Sequence, residues 1–229
     1  LVEDFGKPVA EYVSLIQGSG SDPSFLEQSY PIDLLYSQQP ERTHCPNCSQ
    51  EKSVATEFKR TIGALTIPYW LCSECLHING HFRLTDEFSR MLYSETDEPS
   101  LYDIDFYEDA DVESYLWRVE KIYRPKAKFL KKVLLAAGED TSTLKVLDVG
   151  AGAGHFVRAL REENFEAQGY EPISTAVSTA LLHGTYGIHQ GSAAEVAEEI
   201  RTTHANVVSF LCLLPHVEDV SSIIEACLE

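Results

Sequence analysis

The sequence predicts an α/β protein, a parallel sheet with helices on its faces, preceded by a small cysteine-held unit. Three observations carry this. From Leu144 onward short apolar runs alternate with amphipathic stretches, which is the pattern of βα units and hence of a parallel sheet. The first run enters a glycine-rich turn, Val146-Leu147-Asp148-Val149-Gly150-Ala151-Gly152-Ala153-Gly154-His155-Phe156. Ahead of it stand two C-x-x-C pairs, Cys45-Pro46-Asn47-Cys48 and Cys72-Ser73-Glu74-Cys75.

The repeating part, residues 141–229, reads as strand 144–149, helix 154–163, strand 167–170, helix 174–182, strand 187–190 and helix 193–202. Strand 207–213 and a last helix near 219–227 complete it. Such a sheet binds ligands outside the carboxyl ends of its strands. Glycine lets the backbone turn tightly and approach a ligand, because no Cβ intervenes. The helix that follows aims its first N–H groups at the same place. This is a nucleotide-type cofactor cradle, and its spacing says which kind. A dinucleotide turn needs a third glycine three residues after the second, and a P-loop needs a Lys-Ser or Lys-Thr pair. Here G-x-G-x-G is followed by His155, which fits neither.

The cysteine pairs are separated by 23 residues, 49 to 71. Each pair can form a tight knuckle offering two sulfurs to one metal, so together they read as a four-thiolate zinc site. Between them Val54, Thr61, Ile62, Ile67, Tyr69 and Trp70 favour strands, which suits a zinc ribbon over residues 45–82. Four protein ligands leave no open position for a substrate, so the metal is structural. His44, His77 and His81 lie close enough in sequence to replace a thiolate.

The flanks are less informative. Residues 1–44 read as an N-terminal helix, from Phe5, Val9, Tyr12, Val13 and Ile16, and a linker broken by Gly18-Ser19-Gly20-Ser21. Residues 83–140 read as an acidic helical connector. Glu95, Asp97, Glu98, Asp103, Asp105, Glu108, Asp109, Asp111 and Glu113 run through it among Tyr93, Tyr102, Phe106, Tyr107, Tyr115 and Trp117. A solvated acidic face is one reading and a lid over the cofactor another. The sign then flips at Lys121, Arg124, Lys126, Lys128, Lys131 and Lys132. Pro125 marks the start of a helix and Gly138 its end, with an apolar stripe toward the sheet and its lysines in solvent.

The whole chain of 229 residues carries a formal charge of −18. Nucleic-acid binding draws on Lys and Arg neutralising phosphates, so this balance disfavours a DNA or RNA partner. No apolar run approaches the roughly 18 residues that cross a bilayer, and the first residues lack the pattern of a signal peptide. The expectation is a cytoplasmic protein without a membrane partner.

The stretch Asp148-Val149-Gly150-Ala151-Gly152-Ala153-Gly154 resembles the first motif of class I S-adenosylmethionine-dependent methyltransferases, whose sheet is Rossmann-like. Gly169-Tyr170-Glu171-Pro172 ends the second strand as that family would have it. The resemblance gives Glu171 both ribose hydroxyls of the cofactor, a task suited to a carboxylate because it accepts two hydrogen bonds. It places Gly191-Ser192-Ala193-Ala194-Glu195 at the adenine, although the family often has Asp where Ser192 stands. Leu213-Leu214-Pro215-His216-Val217 is similar to the Leu-Glu-His-Val run after the fourth strand. The implied cofactor contacts are Asp148, Gly150, Ala151, Gly152, Gly154, His155, Phe156, Glu171, Pro172, Ser192, Ala193 and Leu211.

His216 is the candidate general base because it would lie near the strand ends and titrates in the useful range. A histidine packed against the following helix is the other reading. Tyr115, Arg118 and Tyr123 could close over the methionine end of the cofactor. Together with the zinc-binding unit, the resemblance extends to small-molecule and sugar methyltransferases, including relatives associated with polysaccharide synthesis. Their acceptor would be a small molecule, a sugar or a nucleotide sugar. Ribosomal or transfer RNA methyltransferases with a zinc ribbon, and a non-catalytic zinc-ribbon interaction module on a degenerate methyltransferase fold, are the alternatives. The class I sheet has seven strands and this sequence reaches four. The expectation is therefore a truncated chain with its cofactor contacts largely present, an exposed apolar edge at its last strand and weak turnover.

Overall fold

A computed structural model describes residues 32–62, 65–93, 111–191, 193–217 and 220–228. The expected helix at 1–17, most of the acidic run and Ser192 lie outside them. The described residues fall into two compact units, one within 103–214 plus 226–228 and the other within 20–102 plus 215–225.

In the second unit, strands β1 (Val54–Ile62), β2 (Leu65–Cys72) and β3 (Ile78–Gly80) form an antiparallel sheet in the order β1-β2-β3. Its register runs from Ile62↔Leu65 to Val54↔Cys72, with one irregularity between Val54 and Thr56. In β2, Ile67, Trp70 and Cys72 are buried. Helix α1 (Asp86–Tyr93) follows, its Phe88 N–H capped by the Thr85 hydroxyl at 3.2 Å.

The other unit begins with a continuous helical run. Helix α2 (Val112–Arg118) leads through a π-helical turn (Val119–Tyr123) into helix α3 (Arg124–Ala136). Pro125 explains the interruption. It has no N–H for the carbonyl four residues back, and its ring crowds that carbonyl, so the preceding turn widens by one residue. The Lys126 ammonium donates to the Ile122 carbonyl at 2.8 Å. The Lys131 ammonium donates to the Glu163 carbonyl at 2.8 Å. These two lysines thus hold backbone groups, where the sequence suggested solvent.

Strands β4 (Lys145–Val149), β5 (Glu166–Glu171), β6 (Ile188–Gln190) and β7 (Val207–Ser209) form a parallel sheet in the order β6-β5-β4-β7. Helices α4 (His155–Glu162), α5 (Ser174–Leu182) and α6 (Ala193–Thr203) alternate with the strands, and α7 (Val220–Ala226) comes last in the chain, mostly within the second unit. This is the Rossmann-like α/β architecture expected. Its core joins Val146, Ala151, Ala153, Val157, Leu160, Ala167 and Ile188 to Tyr115, Val119 and Ala127 from the helical run. Arg124 ties that run to the end of α4, reaching Glu163 at 3.2 Å and Glu162 at 3.8 Å, while also pairing with Glu120 of its own run at 2.6 Å. Arg161 crosses from α4 to β5, its Nε and Nη2 both donating to the Ala167 carbonyl.

One strand is shorter than expected. β7 stops at Ser209 and does not run to Leu213, and Cys212 takes a left-handed φ of 62°. Leu213 turns back over the glycine loop, where a Cβ on Gly150 would meet its Cδ1 at 3.0 Å. The apolarity of this segment is used in covering that loop.

Candidate functional site

The glycine turn between β4 and α4 is set by three left-handed residues, Gly150 (φ 75°), Gly152 (φ 53°) and Gly154 (φ 74°), a region that costs L-residues energy. Two of them serve internal packing as well. A Cβ on Gly154 would come within 2.9 Å of Thr185 and 3.1 Å of Ile188, and one on Gly150 would press on Leu213. Gly169 in β5 is a third tight point, since its Cβ would lie 2.6 Å from that of Ala151. The turn is pinned to β5 by Gly150 and Ala151, whose N–H groups donate to the Tyr170 carbonyl at 2.9 and 3.0 Å.

Glu171 closes this arrangement. Its carboxylate accepts from Gly152 N–H at 2.7 Å and from Ile173 N–H at 3.1 Å, and the residue is almost fully buried. Desolvation raises its pKa, against the two N–H groups that lower it. Asp148, at the end of β4, accepts from the Ser209 hydroxyl at 2.6 Å. Burial lifts Asp148 to about 7, with the Ser209 bond opposing and Glu171 adding to the rise. Two carboxyls thus share one end of the sheet at a cost to the unliganded fold. Ser209 did not stand out in the sequence because a lone serine in an apolar strand carries no pattern.

The first turn of α4 has no side-chain cap, so its N–H groups face the turn without one. The side chains of His155 and Phe156 belong to the core. His155 stacks on Tyr115 with ring centroids 4.4 Å apart and on Tyr123 at 5.4 Å, while Tyr115 also stacks on His183 at 4.4 Å. A contact from 155 or 156 to a ligand in the turn would therefore come from backbone. Tyr115 does not act as a lid. It is fully buried, and its phenol oxygen lies 3.0 Å from the Ala153 carbonyl, to which it donates, and 2.7 Å from the Thr185 hydroxyl. Pro172 follows Glu171 half-buried, and Leu211 is half-buried against the core. Ala193 opens α6. His216 lies exposed in the 3-10 turn Leu214–His216, and partial desolvation lowers its pKa. A depression of about 110 Å³, lined by Lys145, Leu147, Glu166 and Gln168 among others, opens at the amino ends of β4 and β5. That is the opposite end of the sheet from the glycine turn.

In the ribbon, the four sulfurs of Cys45, Cys48, Cys72 and Cys75 all lie within 4.8 Å of one another. Cys45 and Cys75 are 3.6 Å apart and Cys48 and Cys72 3.8 Å, and none is in a disulfide. A tetrahedral zinc with bonds near 2.3 Å sets its sulfurs roughly 3.8 Å apart, so the donor set fits that ion. Cys75 is drawn down to about 6, first by the Asn47 side chain and then by the His77 N–H. At Cys48 the Gln50 N–H lowers the thiol, but desolvation and the neighbouring sulfurs prevail and push it up to about 12. Asn79, buried and unforeseen in the sequence, donates its amide to the Cys45 sulfur at 3.6 Å and to the His77 carbonyl at 3.1 Å. His44 and His81 find partners outside the sulfur cluster, at Thr43 and Glu41.

Residues 120–229 match the family model described as a methyltransferase domain. The match spans the Rossmann-like sheet, so that part of the chain is similar to methyltransferase domains. Among particular proteins, the ubiquinone biosynthesis O-methyltransferase of Yersinia enterocolitica is 33% identical over 87 residues, covering 36% of each chain. That of Yersinia pestis is 29% identical over 124 residues, 51% of each chain. The chain thus spans about half the length, or less, of these curated relatives. A putative S-adenosyl-L-methionine-dependent methyltransferase from Methanococcus maripaludis overlaps in structure with a TM-score of 0.43 at 18% identity, over 58% of this chain and 60% of that one.

Proposed function

We propose that the protein is an S-adenosylmethionine-dependent methyltransferase acting on a small-molecule acceptor of the sugar or nucleotide-sugar type, with a structural zinc ion in its ribbon. The observation that carries the cofactor reading is Glu171, a buried carboxylate at the end of β5, aligned by the N–H groups of Gly152 and Ile173. A carboxylate so placed can take two hydroxyls of a ribose, and the N–H groups at Gly152 and the start of α4 supply donors beside it. Bound S-adenosylmethionine supplies an electrophilic methyl on a sulfonium. This chain's residues hold and orient it. The buried Ala151–Phe156 turn gives a rigid cradle, and rigidity of position is what an in-line displacement needs.

Asp148, Gly150, Ala151, Gly152, Gly154, Pro172, Ser192, Ala193 and Leu211 complete the proposed cofactor contacts, with backbone from His155 and Phe156. His216 is the proposed base. Its lowered pKa keeps it neutral near pH 7, the form that can accept a proton. The names of the relatives make a hydroxyl oxygen the first acceptor atom to test. Calorimetry with S-adenosylhomocysteine checks the cofactor step: saturable heat is expected, with Glu171→Ala losing about 100-fold in affinity. Folded protein that releases no heat at millimolar ligand would overturn the reading.

A further inference from the structure

The ribbon sheet has an open side. β1 is its outermost strand, and the residues of β1 whose exposure is described, 54–61, are all exposed. Among the described residues, its backbone bonds go to β2 alone. The direction of the remaining groups follows from Pro68. It faces Lys59 across β1–β2, has no N–H, and its carbonyl accepts from His81 N–H at 3.2 Å on the far side. The Lys59↔Pro68 pair is therefore not hydrogen-bonded, and the N–H and C=O of Lys59 point to the free edge. With a period of two, so do those of Glu57 and Thr61.

We propose that this edge pairs antiparallel with the same edge of a second copy of the chain, about a two-fold axis at Phe58. In that register Glu57 and Lys59 of opposite copies exchange both backbone hydrogen bonds. Their side chains, exposed and without an ion pair among the described residues, face each other twice. Phe58, 44% exposed for a large apolar ring, meets its own copy at a non-hydrogen-bonded position, where cross-strand side chains approach closest. Thr56 faces Arg60. The charges select this register. An axis at Glu57, Lys59 or Arg60 sets like charges face to face, which is destabilising, and an axis nearer either end pairs few residues. The interface is isologous and closed, so it yields dimers and not fibres.

Sedimentation of the full chain, with its ribbon metal bound, tests this. A concentration-dependent dimer is expected, weakened about tenfold by Glu57→Lys or by Lys59→Glu, because each turns both facing pairs into like charges. Mixing the two single variants should restore dimer as a heterodimer, and the double variant E57K/K59E should self-associate as the parent does. Equal metal content across variants shows that the ribbon stays folded. A strictly monomeric parent, or a dimer indifferent to the single reversals, overturns the proposal, and so does failure of the mixture to associate.

Discussion

The two units hold themselves together by different means. In the sheet unit, buried aliphatic side chains from three strands and five helical segments interlock around the glycine turn, with Val207 of the fourth strand partly buried against them. In the ribbon, Trp70 packs on Cys45 and Cys72, and the sulfurs stand at the spacing of a tetrahedral ion. The first kind of unit stores its stability in close packing. On the proposed zinc reading, the second places much of it in a bond to an ion outside the chain. The contrast then predicts a protein insensitive to a chelator in one part and dependent on the ion in another.

Removing the metal is the strongest way to separate them. Structural zinc contributes about 10 kcal/mol or more to small thiolate units. Fresh protein should therefore carry one zinc per chain, and chelation should abolish protection of the β1–β2 amides from hydrogen exchange. Protection in β4 and β5 should persist, and loss of both together would erase the contrast. Next in size is overpacking of the sheet unit. Gly169→Ala pushes a methyl against Ala151 and Ile188 and should lower its unfolding free energy by about 3 kcal/mol in urea, leaving zinc content unchanged.

The smallest of the three is electrostatic. Asp148 titrates near 7 in the fold, above its unfolded value, so its contribution is fully present below about pH 4 and is lost as pH rises toward 7. Asp148→Asn should stabilise the unliganded sheet unit by about 2 kcal/mol at pH 8 and by little at pH 4. Denaturant melts at the two pH values check the sign.

Much of this was legible in the sequence because it rests on local patterns. C-x-x-C pairs, alternating βα runs and a G-x-G-x-G turn are short-range signals, and the ribbon hairpin and all four parallel strands follow from them. What was not legible depends on partners far along the chain. The run Phe210–Leu213 reads as strand because it is apolar, yet Leu213 is apolar in order to lie on Gly150. Pro125 does sit in the first turn of α3 as its type suggested, but nothing local foretold the widened turn that joins α3 to α2. Asn79 matters only because the fold brings it 34 residues back to Cys45. Gly169 is one small residue in a strand until Ala151 lies against it.

Tyr115 shows what such distant partners imply for where a domain begins. Its single phenol oxygen reaches residues 38 and 70 positions away, and its ring lies between two histidines. The stretch that matches the methyltransferase family starts at residue 120, five residues too late to include it. Inheritance by sequence and integrity of the fold thus draw different boundaries. A chain cut at the family boundary would keep every glycine of the turn and lose the side chain on which the turn rests.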